Sequence, residues 1–276
     1  MPLINFTLNL AALLLWLNWR SVPVSVPASA LTLASTLKPT DTRRGSGLAF
    51  WIGLPALLLG RALFYWQIGP AVDWTPHLPL GAITLSFRCD AFDRILLYSF
   101  LSFGLTLGIF YGWLCLLSAV NSRQTELDAV QRQVQLLIGP LAQFPAIVQA
   151  LTPFVVAALL WLFWGPFFEH LRLMPPRQSF WQLMQQAVVI GFSLVLSLKY
   201  LVAGLLGLHF LNTYVYLGGA PFWNFVTVSA RNLAWPLRWC RFGKVDLAPP
   251  VGIAVVLGLA ELGNYWLPRL YQRLPF

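Results

Sequence analysis

Apolar residues run along this chain in long blocks separated by short polar stretches. Six blocks approach or exceed the roughly 17–25 residues a helix needs to cross a bilayer. They cover residues 3–19, 48–68, 95–119, 144–167, 180–210 and 250–267. The first is short and carries Asn5 and Asn9. It is followed by Val26-Pro27-Ala28-Ser29-Ala30, which has the look of a leader cleavage site. No Lys or Arg precedes the block and Arg20 follows it, the reverse of a secretory leader. We therefore read it as a membrane helix.

Between the blocks the pattern changes. Leu127, Val130, Val134, Leu137 and Leu141 fall on one helical face, and Arg123, Asp128, Gln131, Arg132 and Gln135 fall elsewhere. Such a helix either lies on the membrane surface or caps the bundle. A second amphipathic helix starts at Pro221, a residue suited to a first turn. Phe222, Phe225, Ser229 and Leu233 line one face, Asn224 and Arg231 lie opposite, and Pro236 ends it. The run Ile83-Thr84-Leu85-Ser86-Phe87-Arg88 alternates apolar and polar, which predicts a short strand. The pattern as a whole predicts an all-α polytopic membrane protein with about six spans and two cytoplasmic amphipathic surface helices.

Composition narrows the class. Of 276 residues, 58% are hydrophobic and 10% charged, with a mean hydropathy of +0.69. Soluble domains are about 25% charged. These values exclude a disordered chain, a soluble enzyme and a coiled coil. The net charge of +9 points to loops and anionic headgroups, and no nucleic-acid partner is expected. With the N-terminus outside, ten Lys and Arg fall in the inner loops and six on the outer side. That bias favours an N-out orientation.

Candidate chemistry is sparse. Cys89, Cys115 and Cys240 lack metal or redox spacing, and His77, His170 and His209 are scattered. We expect no catalytic residues, no metal and no cofactor. Three charges lie within spans: Arg61, Lys199 and Glu261. Counting about 1.5 Å per residue places Lys199 and Glu261 at similar depth, and Arg61 further out. A charge at that depth needs a partner or a wet cavity. Three readings stay open: a Lys199–Glu261 pair that fixes helix register, a snorkelling Lys199, or a transporter or channel path lined by Arg61, Lys199 and Glu261.

The segment after the second amphipathic helix interleaves cations with aromatics. Arg231, Arg238, Arg241 and Lys244 alternate with Trp235, Trp239 and Phe242. This suits headgroup depth, where rings and Arg both find partners. Asp246 follows, placed either to cap the last helix or to pair with Arg238 or Arg241.

The two ends of the chain share an order. Leu17-Asn18, Pro27, Ala34-Ser35-Thr36-Leu37-Lys38-Pro39 and Arg43-Arg44 are matched by Leu211-Asn212, Pro221, the run from Ala230 to Pro236, and Arg238 with Arg241. Each set reads as span, amphipathic segment, proline, basic cluster, span. The chain thus divides into a hairpin over 1–69, an inserted hairpin with its surface helix over 70–180, and a second hairpin over 181–276.

The later copy carries Pro221-Phe222-Trp223-Asn224-Phe225-Val226, then Leu233-Ala234-Trp235-Pro236-Leu237-Arg238, then Gly243-Lys244-Val245-Asp246-Leu247-Ala248-Pro249. In these residues the chain resembles the YggT family, called YlmG in Gram-positive bacteria and chloroplasts. The match covers 205–268, a degenerate copy covers 8–66, and about 85–180 is unmatched. The first copy lacks the Gly-x-x-Asp. The resemblance implies a non-enzymatic scaffold or assembly factor for a membrane complex or for envelope or division machinery. Its expected partners are anionic lipid and other membrane proteins, met through Arg231, Trp235, Arg238, Trp239, Arg241, Lys244 and Asp246.

Overall fold

The computed structural model describes residues 2–20, 47–81, 83–122, 129–174, 179–215, 220–242 and 245–273. It is predominantly helical, and the chain packs as two compact units.

The first unit comprises Met1–Pro76 and Phe87–Leu107. Helices α1 (Pro2–Arg20) and α2 (Gly47–Ile68) pack as a pair with the first half of α3 (Phe92–Val120). Ala12, Leu58 and Phe103 are buried at their meeting point, flanked by Trp16, Leu54, Leu57 and Leu107. Beyond α2 the chain turns through a short 3-10 helix at Pro70–Val72, and Asp73 takes a left-handed conformation. The turn is closed by rings: Tyr65 and Trp74 meet edge-on at 4.7 Å between centroids, and Tyr98 stands 5.4 Å from Phe87. The Cys89 thiol donates to the Trp74 carbonyl at 2.9 Å. A glycine is required at 69, because a Cβ there would stand 2.5 Å from the Tyr65 oxygen and 2.6 Å from Cys89 Sγ.

The second unit comprises His77–Ser86 and Gly108–Phe276. It opens with an antiparallel hairpin, β1 (His77–Leu80) and β2 (Ile83–Ser86), in which Leu78 faces Leu85 and both are buried. The strand predicted from alternation at 83–88 thus forms over its first four residues. Gly81 closes the turn at φ +78, a conformation that L side chains rarely adopt, and packs onto Ser193. Then follow the second half of α3, α4 (Ala129–Ile138), α5 (Ala146–His170), α6 (Phe180–Ser197), α7 (Lys199–Tyr214), α8 (Pro221–Leu233), a 3-10 stretch at Trp235–Cys240, β3 (Arg241–Phe242), β4 (Val245–Asp246) and α9 (Ala248–Arg273). Helices α5 and α6 pack closely because Gly165 lies against Leu183 and Gly191 against Phe154. Between them the Trp161 indole donates to Gln186 Oε1 at 3.2 Å. The boundary of the first unit falls inside α3.

Four helical stretches are long and apolar enough to cross a membrane: Phe92–Val120, Ala146–His170, Phe180–Tyr214 and Ala248–Arg269. This marks the chain as a membrane protein. Ile52–Ile68 is apolar but shorter. The apolar block at 180–210 is not one straight helix. It breaks at Leu198, where the Ser197 hydroxyl donates to the Leu194 carbonyl at 2.6 Å and the Leu198 N–H bonds three residues back to Val195.

Each amphipathic helix buries most of its expected apolar face and some residues beside it. On α4, Val130, Val134, Leu137 and Leu141 pack inward as expected, Leu127 lies outside the described residues, and Gln131, expected off the apolar face, is buried with Val134 and Ile138. On α8 the buried residues are Phe225, Val226, Ser229 and Ala230, while Phe222 is exposed. The reason is tertiary. The apolar face of α4 packs with Phe110, Leu114 and Leu117 of α3 and with Phe225 of α8, and α8 also packs on α7.

Candidate functional site

The basic aromatic segment is built on α8. Its inner side is lined with alanines: Ala230 and Ala234 pack with Leu206 of α7 and Ala248 at the start of α9. Small side chains there let the three elements approach closely. Arg231 and Trp235 remain exposed on the other side. Trp239 is 80% exposed, and its indole N–H donates to the Pro236 carbonyl at 2.8 Å. That bond holds the ring in an outward position. The backbone of β3 and β4 sets Arg241 opposite Asp246 and Phe242 opposite Val245. Lys244 lies outside the described residues, as do the side chains of Arg238, Arg241 and Asp246.

Behind this segment lies a polar network. Asn121 Nδ2 donates to Ser229 Oγ at 2.7 Å, and Asn232 Nδ2 donates to Asn121 Oδ1 at 3.1 Å. Gln131 Nε2 donates to the Asn121 carbonyl at 2.9 Å. Asn121, Gln131 and Ser229 are buried. The network ties α8 to the end of α3 and to α4, so the exposed segment stands on a cross-braced base. Sequence reasoning missed it. The one signal was Ser229, a polar residue on an otherwise apolar face.

Of the three charges within spans, the structure brings two together. Lys199 Nζ donates to Glu261 Oε1 at 2.6 Å, joining α7 to α9. The two ends differ in cover: the Lys199 side chain is 9% exposed and that of Glu261 is 71% exposed. Glu261 is therefore a carboxylate on the surface of this chain, paired to a covered ammonium. Its place on the outer side of α9 decides this, since α9 contacts α6 and α7 with its opposite side, through Gly252 and Gly263.

Arg61 belongs to the first unit and has its own partners. It is 2% exposed and donates to Asn9 Oδ1 and, at 2.8 Å, to the Ser99 carbonyl. Asn9 in turn donates to Ser102 Oγ at 3.0 Å. The asparagine that makes α1 a poor apolar helix thus serves as a ligand for Arg61.

Among the described residues no group of three His, Cys, Asp or Glu side chains gathers where it could hold a metal ion. Burial, and then Asp90, pushes the Cys89 thiol up. This keeps it protonated and suits a packing role. No family model, curated protein or solved structure matches this chain.

Proposed function

We propose that this is a non-enzymatic, YggT-like protein of a bacterial inner membrane. It acts as a scaffold or assembly factor for a membrane complex or for envelope or division machinery. In this reading all six apolar blocks cross the bilayer, the N-terminus is outside, and α4 and α8 lie on the cytoplasmic side. The working surface is the segment 231–244 with Asp246. Anionic lipid docks it first, at about 1 kcal/mol for each Lys or Arg near the surface. A membrane-protein partner is then met by the exposed rings and by Arg forks.

The observation that carries this reading is Trp239, held outward by its own hydrogen bond at the edge of a cross-braced base. Aromatic side chains fixed in exposed positions are characteristic of interface anchors, because little conformational entropy is lost on binding. The path reading, with Arg61, Lys199 and Glu261 lining a channel, is weaker. Lys199 and Glu261 neutralise each other in a direct pair, so neither is a free carrier.

The test compares membrane insertion and co-purification side by side. Wild type is set against Arg238→Lys, Asp246→Asn and a triple Gln substitution at Arg238, Arg241 and Lys244. Lys keeps the charge but lacks the planar fork. All three variants should insert normally and lose partner recovery. Wild-type recovery by all three would leave the segment as a lipid anchor alone.

A further inference from the structure

Arg61 is a buried cation whose bonds all go to neutral groups. Its two terminal nitrogens donate to Asn9 Oδ1 and the Ser99 carbonyl. Among the described residues no carboxylate comes within ion-pair distance of it. The rings of Tyr65 and Tyr98 face the guanidinium, at 5.9 and 5.7 Å from their centres. Ring faces soften a positive charge but do not cancel it. A buried charge without a counter-charge is costly, and natural structures supply one.

Two buried donors on the same helix are unused. Arg61 Nε–H and the Tyr65 hydroxyl are both buried and have no hydrogen-bond partner. The two residues are four apart on α2, so they lie on one helical face. Neighbouring polar groups are already engaged: Asn5 and Asn9 both donate to Ser102 Oγ, and Ser99 Oγ donates to the Leu58 carbonyl. One uncompensated positive charge and two idle donors on one helical face, with the guanidinium 5.9 Å from the Tyr65 ring centre, define a complement.

We infer that Arg61 and Tyr65 bind a small monovalent anion of halide size, held by Arg61 Nε–H and the Tyr65 O–H within the first unit. A single negative charge balances the guanidinium, whereas a phosphate would bring excess charge. A spherical ion needs no directed lone pairs and can accept from two donors at once. Chloride also sheds its water at lower cost than phosphate does. With Arg61 at 2% exposed and Tyr65 fully covered, a lipid headgroup has no approach to these donors.

The test is thermal unfolding of the full chain in detergent, with chloride replacing gluconate at constant ionic strength. Wild type should show a saturable rise in Tm with chloride, and the same with bromide. Tyr65→Phe removes one donor to the ion and should raise the half-saturating chloride about tenfold. Arg61→Gln should abolish the response. Equal Tm in chloride and gluconate would overturn the inference. So would a response to phosphate that exceeds the response to chloride. If Arg61→Gln does not fold, Tyr65→Phe decides: a chloride response unchanged in that variant places the ion elsewhere.

Discussion

Lys199 and Glu261 form one ion pair with two unlike halves. The ammonium is covered by the protein, and the carboxylate stands on the outer side of α9. Their effects on stability should therefore differ. Glu261→Gln strands a covered ammonium, which has no easy route to relief. Lys199→Met strands an exposed carboxylate, which is relieved by taking up a proton. Thermal unfolding in detergent should rank Glu261→Gln as the more damaging change. The double variant should sit closer to wild type than Glu261→Gln does. If Lys199→Met proves the worse of the two, the assignment of cover to the two halves is reversed.

Orientation can be read with fusions. The excess of Lys and Arg between residues 20 and 44 should keep that loop inside under the positive-inside rule. A reporter active only in the periplasm should be silent after Gly45 and active after Pro76. The opposite pattern would invert every inside and outside assignment, and would move the 231–244 segment to the outer face.

Glycine substitutions separate packing from helix propensity. At Gly69 a Cβ would collide with the Tyr65 carbonyl and Cys89 Sγ. Gly69→Ala should cost about 1–3 kcal/mol, as overpacking does. At Gly60 and Gly104 nothing lies within 4 Å of the added carbon. Alanine at these helical positions should be neutral or stabilising by up to about 1 kcal/mol. Comparative unfolding midpoints check the contrast, and a neutral Gly69→Ala would mean that the turn after α2 is looser than described.

The brace under α8 should be non-additive. Asn121→Ala leaves Asn232 and Ser229 without their shared partner and should cost about 1–3 kcal/mol. Ser229→Ala removes the acceptor of the 2.7 Å bond. The two losses should sum to more than the double variant shows, because they share one interaction. Strict additivity in a double-mutant cycle would show that Asn121 and Ser229 do not work together.

Much of the helical layout was legible before the structure, because it depends on composition over a window. Long apolar blocks without charge form helices whatever they later pack against. Counting along helices also put Lys199 and Glu261 at one depth, since the rise per residue is constant. Rotation about each helix axis is a different kind of quantity. Apolar periodicity gives it approximately, and the edges of the face differ at Gln131, which is buried, and Phe222, which is exposed. A buried polar residue is acceptable wherever a partner stands within hydrogen-bond reach. For Gln131 that partner is the Asn121 carbonyl, and for Ser229 it is Asn121, 108 residues earlier. The break at Leu198 was hidden for a similar reason, as Ser197 in an apolar block carries no mark of bending. Asn9 looked like a defect in α1 until Arg61 of α2 supplied its role. The chain alone thus determined which stretches are helices and that Lys199 and Glu261 are spaced to meet, because both follow from local chemistry and fixed geometry. The tertiary structure decided which face each helix buries, which polar groups meet and which charge finds no acid among the described residues, because those depend on neighbours distant in sequence.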